Sequence, residues 1–162
     1  MSTSGTPAEH SVESGEVADR LDRLYCHHLM MAQWSIAVGS LHADSPHPLL
    51  SDLHRDAHEH LEAAIRLASQ VVELGGTATA DPSDIVYRAP VDSVKLPDNP
   101  TDTHRTLVQL QSLTTAAITA YRALLETVRE SDPASRQVVE PLLAVAVARA
   151  TALARLSTDG NV

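Results

Sequence analysis

The chain has 162 residues, of which 43% are hydrophobic but only 2% aromatic, with no Phe; one core built from Leu, Val, Ile and Ala suits close-packed helices better than sheets. Its net charge is -9 and Lys95 is its single lysine, which excludes the basic surface that binding a nucleic-acid backbone needs. Cys26 stands alone, so there is no internal disulfide framework, as suits a reducing, cytoplasmic compartment. Residues 1–19 hold no Lys or Arg and no apolar centre, unlike a secretory signal. No uninterrupted apolar run approaches the ~20 residues of a membrane span, so no membrane insertion is expected.

Residues 1–15, rich in Ser, Glu, Gly and Thr and without apolar periodicity, read as a disordered tail. A first helix is predicted over 16–41, with Leu21, Leu24, His28, Met31, Ala32 and Ile36 on one face. Ser45-Pro46 offers a cap and first turn for a second helix over 46–74. Its stripe runs through Leu50, Leu53, Ala57, Leu61, Ala64, Ala68 and Val71, and it ends at Gly75-Gly76, where a left-handed cap favours glycine. The linker is short, so these two helices should be antiparallel.

Residues 75–102 carry Pro82, Pro90, Pro97 and Pro100 and read as a long crossover with a short helical turn near 83–87. A third helix over 103–131 repeats Leu107, Leu110, Thr114, Ala117, Tyr121, Leu124 and Val128. Asp132-Pro133 then caps a fourth, over 133–156, which Pro141 should kink or delay, and residues 158–162 form a tail. Two antiparallel hairpins joined by a traversing crossover make an all-α four-helix bundle with the single-crossover topology of ferritin-like folds.

Two segments give this reading a family. Gln33-Trp34-Ser35-Ile36-Ala37-Val38-Gly39 resembles the His-Trp…Gly signature late in the first helix of the Dps-like miniferritins, a branch of the ferritin-like superfamily. Leu74-Gly75-Gly76, followed by Thr77 and Pro82, is similar to the ending of their second helix. The resemblance covers residues 16–156 and implies an oligomeric shell, a dimer or larger, and iron chemistry at carboxylate and histidine ligands.

The ligands themselves depart from that pattern. A bundle di-iron site takes a Glu from each of two helices and Glu-x-x-His from each of the others. The sequence holds no Glu-x-x-His, and neither 103–125 nor 141–158 contains Asp, Glu or Cys. Where the Dps-like resemblance implies a histidine, Gln33 stands; where it implies acids before the Gly-Gly ending, Ile65 and Ser69 stand. The standard ferroxidase residues are absent, so the di-iron site reads as eroded and no catalytic residue is assigned.

Nine histidines remain, and six of them, leaving aside His42 of the linker, cluster between His27 and His60. A wheel at ~100° per residue puts His54 and His60 on the core side of the second helix and His58 at its edge, while Asp56, Glu59 and Glu62 line the solvent side. The candidate metal site is His28, His54 and His60, with His58 or Glu62 assisting; imidazole donors suit Fe, Zn, Cu or a haem iron better than a hard carboxylate site does. The alternative is that these are core histidines satisfied by backbone carbonyls and by Tyr25 or Tyr121, with no cofactor. Cys26, Met30, Trp34 and Ala37 fall on the face opposite His28, and an apolar stripe there reads as a subunit interface.

The functional expectation is a ferritin-like oligomer engaged in metal or haem binding, storage or protection without the standard ferroxidase centre. Its alternatives are a structural or interaction bundle without metal, and a ferroxidase with ligands shared between subunits. No nucleic-acid partner is expected.

Overall fold

The computed structural model describes residues 7–90, 98–128 and 132–158, with side chains described from Ser14 onward and up to Arg155. Six helices follow in chain order, and no strand occurs among the described residues: α1 (Pro7–Leu41), α2 (Pro48–Ser51), α3 (Leu53–Glu73), α4 (Pro82–Arg88), α5 (Thr103–Thr127) and α6 (Pro133–Thr158). Four are long, and they form the bundle.

The direction of each long helix can be read from its cross-contacts. His28 of α1 meets His60 of α3, and a Cβ on Gly39 would lie 3.1 Å from Leu53, so α1 and α3 run antiparallel. His42 bonds the Pro100 carbonyl just before α5, whereas Arg20 reaches the Ala123 carbonyl near its end, so α1 and α5 are antiparallel too. Asp56 pairs with Arg149, and Gln70 bonds Ser135, which sets α6 antiparallel to α3. Hence α3 and α5 point the same way, and the chain between them must cross the length of the bundle. The crossover is the fold's defining connection.

That connection is clasped to α1. Asp22, 3% exposed, accepts bonds from the Thr79 backbone (2.8 Å) and hydroxyl (2.6 Å) and from Arg88 Nε (2.6 Å), while Arg88 Nη2 reaches Asp19 at 2.6 Å. α4 therefore lies against α1, its first turn capped by Asp81 on the Ser83 amide. The helical turn expected near 83–87 is this element.

Local chemistry explains most boundaries. α3 closes in a Schellman arrangement: Gly75 has φ 80, its N–H bonds the Val72 carbonyl, and the Gly76 N–H bonds that of Val71. A Cβ on Gly76 would stand 3.0 Å from Val71 and 3.2 Å from Ala18, so glycine also lets the chain pass close beneath α1. Asp132 caps α6 through the Ser135 amide, and Asp102 caps α5 through that of Arg105.

Several expected boundaries move. α1 begins at Pro7, ahead of Glu16, so part of the expected tail is helical; residues 1–6 lie outside the described residues, as do 159–162 of the C-terminal tail. The second helix starts at Pro48 with His47 as its cap, not at Ser45-Pro46, and Asp52 divides it into α2 and α3. α5 ends at Thr127, and residues 129–131 fall outside the described set. α6 continues through Pro141.

Two apolar clusters fill the interior. One centres on Leu21, Leu24, Leu67, Tyr121, Leu124 and Val139, the other on Trp34, Val38, Leu50, Leu53, Leu110 and Leu153. Ile36 and Leu61, placed on core stripes by periodicity, are 50% and 39% exposed. α6 bears on the membrane expectation, because its Pro133–Arg155 stretch is long and apolar enough, by length and composition alone, to cross a membrane. Arg136, Glu140 and Arg149 interrupt its apolar run, which is why a search for uninterrupted runs passes over it. In this bundle, Val139, Leu142 and Leu153 pack inward from that helix.

Candidate functional site

Between the two apolar clusters lies a polar layer to which all four long helices contribute. α1 supplies His27 and His28, α3 supplies Asp56 and His60, α5 supplies Tyr121 and α6 supplies Arg149. Each stands on a helical turn whose neighbours point into the core, so helix geometry rather than a loop fixes the side chains. His28 and Tyr121 are 5% and 1% exposed.

The groups form one chain of bonds. Arg149 Nη2 pairs with Asp56 Oδ2 at 2.8 Å, and its Nη1 approaches His60 Nε2 at 3.4 Å. His60 Nδ1 lies 2.8 Å from His28 Nδ1, and His28 Nε2 bonds the Tyr121 hydroxyl. A guanidinium has donors and no acceptor, so His60 Nε2 is the unprotonated nitrogen. His60 Nδ1–H then donates to His28 Nδ1, and His28 Nε2–H donates to the Tyr121 oxygen. The hydroxyl proton of Tyr121 is left over at the end of the chain.

Electrostatics keeps the layer uncharged apart from the ion pair. Burial pushes His27 down to about 4 and His60 down to about 3, with the Arg149 charge adding to the effect on His60. His28 is driven well below the ordinary histidine range by burial and by its imidazole neighbours. Burial likewise raises the Tyr121 phenol, so it stays protonated. Asp56 is raised by desolvation, although Arg149 opposes the shift.

A cavity of about 280 Å³ opens beside this chain, with His27, His28, His60, Tyr121 and Arg149 in its wall. Its remaining wall is largely carbon, from residues such as Met31, Leu113, Ala117 and Leu142, and Glu59, Glu62 and Arg66 contribute from the exposed side of α3. His27 Nδ1 is fully buried and has no hydrogen-bond partner.

The expected metal site separates into parts. His28 and His60 meet at the centre, as the spacing suggested, and the expected Tyr121 partner is the one His28 uses. His54 is exposed and lies 3.3 Å from the Ser40 hydroxyl, away from the pair, because six residues at ~100° each set it roughly 120° round α3 from His60. His58 and Glu62 are exposed, and Glu62 lines the cavity from that side. Asp56, read as solvent-facing, is 5% exposed and held by Arg149. Among the described residues, no group of three or more His, Cys, Asp or Glu is arranged to hold a metal.

At the depth of the His28–His60 contact the buried carboxylate is Asp56, paired with Arg149 at 2.8 Å, and the two imidazoles contact each other. The expected interface stripe is also redrawn. Cys26 and Trp34 are 0% and 3% exposed within this chain, and Met30 and Ala37 are half-buried, because the α1–α3 packing and the crossover cover that face. Sequence reasoning passed over His27 and Arg149. The signal for Arg149 was present, since it is the lone charge in residues 141–154.

No protein-family model matches this sequence, and no curated protein matches it significantly. Among solved structures, the chain superposes on the dodecameric thioferritin of Bacteroides fragilis, a bacterioferritin-related protein, with a TM-score of 0.78. The match covers 90% of this chain and 86% of that one at 18% identity. With the helix directions and the traversing crossover, this shows the fold: an all-α, ferritin-like four-helix bundle.

Proposed function

We propose that this chain is a self-associating ferritin-like protein that binds or stores a transition metal, or protects against one, with no ferroxidase centre inside its own bundle. The observation that carries the reading is the Arg149–Asp56 pair beside His60. A dimetal centre needs several carboxylates converging at mid-bundle; here a fixed cation takes up the one carboxylate at that depth. Self-association is supported by an exposed apolar line on α3, Leu61, Ile65 and Val72, and by the dodecameric assembly of the B. fragilis protein. Trp34 and the Leu74-Gly75-Gly76 ending favour the Dps-like branch, and the lone buried thiol of Cys26 favours the cytoplasm.

The test is native mass spectrometry with metal analysis on untagged protein, together with oxygen uptake after Fe(II) addition. The expected result is a particle several times the 17.4 kDa chain that retains metal but consumes oxygen no faster than buffer. A metal-free monomer overturns the proposal, and rapid Fe(II)-dependent uptake restores the ferroxidase alternative.

A second reading rests on the His28–His60 contact. The two Nδ1 atoms are 2.8 Å apart, and two imidazoles on one tetrahedral metal at ~2.0–2.1 Å would sit roughly 3.3 Å apart, so a small opening admits Zn or Cu with further donors from outside the chain. Stoichiometric binding of Zn(II) that His60→Ala abolishes supports it; binding unchanged in that variant removes it.

A further inference from the structure

We propose that the cavity between α1, α3, α5 and α6 is a binding site for a small, uncharged, mainly apolar molecule bearing a hydroxyl group, of the phenol or alcohol class. This goes beyond the metal reading and does not depend on it.

Two open valences define the polar end of the ligand. The bond chain that begins at Arg149 leaves the Tyr121 hydroxyl with a proton to donate and no acceptor among the described residues. His27, 2% exposed, lines the same cavity with an unpartnered Nδ1. Both flank His28, with ring centroids 5.7 and 6.1 Å from it. A buried polar atom left unpaired, as His27 Nδ1 is, costs stability, and among the described residues the Tyr121 hydroxyl is engaged by His28 alone. A ligand hydroxyl answers them, because its oxygen accepts the Tyr121 proton while its own proton goes to His27; it also suits His27 in either tautomer.

The rest of the wall sets the body of the ligand. Carbon from Met31, Leu113, Ala117 and Leu142 dominates it, so the ligand gains by burying rings or alkyl groups. Of the charged groups in the cavity wall, Arg149 is already paired with Asp56 at 2.8 Å, which leaves little compensation for a buried ligand charge. Glu59, Glu62 and Arg66 are exposed at the rim, where water screens them. About 280 Å³ lies just under the ~300–1,000 Å³ of drug-sized pockets, which limits the ligand to one or two rings.

The test is calorimetric titration of the chelator-treated full chain with 1-naphthol, naphthalene and 1-naphthoate. The expected order is 1-naphthol tightest, naphthalene weaker by about tenfold, as one or two hydrogen bonds supply, and 1-naphthoate weakest. Tyr121→Phe keeps the ring and removes the donor, so it should cut 1-naphthol affinity by about the same factor and leave naphthalene unchanged. If that variant does not fold, the order of the three probes on the unaltered chain decides. Overturning results are no saturable binding of 1-naphthol, equal affinity for 1-naphthol and naphthalene, tightest binding of 1-naphthoate, or a folded Tyr121→Phe protein that binds 1-naphthol as before. Because the titration uses metal-free protein, a failed metal test leaves this result standing, and the reverse.

Discussion

Arg149 of α6 and Asp56 of α3 form an ion pair 2.8 Å long whose side chains are only 15% and 8% exposed. Desolvation is the largest influence on Asp56 and outweighs the attraction of Arg149, the usual balance for a buried pair. Removing one partner should therefore hurt far more than removing both. Arg149→Met is expected to destabilise the protein by about 3–5 kcal/mol, while Asp56→Leu with Arg149→Met recovers most of that loss. Urea unfolding of both variants checks it; equal losses would show that the pair is not the element holding α6 to α3.

Three imidazoles, His27 and His28 buried and His60 half-buried, make stability depend on pH. His27, His28 and His60 all have depressed values in the folded state, His27 at about 4 and His60 at about 3. The unfolded chain thus binds more protons below the ordinary histidine value of ~6.5, so stability rises with pH there. Their contribution is complete above ~6.5 and is lost as pH falls toward the folded values, with a slope of about 1.4 kcal/mol per pH unit for each histidine. Urea midpoints at fixed protein concentration between pH 7 and pH 5 should give a slope of two to three protons (approximately). A flat profile would mean that the imidazoles are not buried as described.

What the sequence made legible followed from repeating chemistry. The crossover was visible in four prolines, the end of α3 in Gly75-Gly76, the cap of α6 in Asp132-Pro133, and the His28–His60 meeting in helical spacing alone. What it hid depended on partners distant in the chain. His54 fell outside the core arc because Leu53, Ala57, Ala64, Leu67 and Val71 define that arc on α3, and Leu61, counted into the stripe, is 39% exposed. Asp56 looked like part of a charged face until α6 brought Arg149 against it. Cys26 and Trp34 seemed bare because a wheel cannot show how deeply neighbouring segments wrap α1. A lone charge in an apolar helix was the overlooked clue to the site.

The exposed line on α3 bears on assembly. Ile65 and Val72 are 67% and 62% exposed, with Leu61 at 39% on the same side. Ile65→Asp is expected to reduce particle mass while leaving helical circular dichroism and the urea midpoint of the isolated chain within about 0.5 kcal/mol of the original, as for surface substitutions generally. Unchanged mass would move the interface to another face.

Cys26 should be chemically quiet. It is 0% exposed, and burial, aided by the Asp22 charge, pushes its thiol up to about 11; only a thiolate reacts readily. Iodoacetamide at pH 8 should label it only at the rate of global unfolding, and addition of urea should release full labelling. Fast labelling of the native protein would show that the crossover does not cover α1.

The clasp of Asp22 on Thr79 and Arg88 has a consequence for how the molecule divides. Within each pair, α1 with α3 and α5 with α6, packing is far more extensive than between the pairs. Because α4 is bound to α1, it travels with the first pair rather than serving as slack between them. A chain severed after Arg88 would thus yield two halves, each holding one helical hairpin with an apolar face that the other half covers. The polar layer, drawn from both, would act as the lock by which such fragments recognise and reassemble with each other.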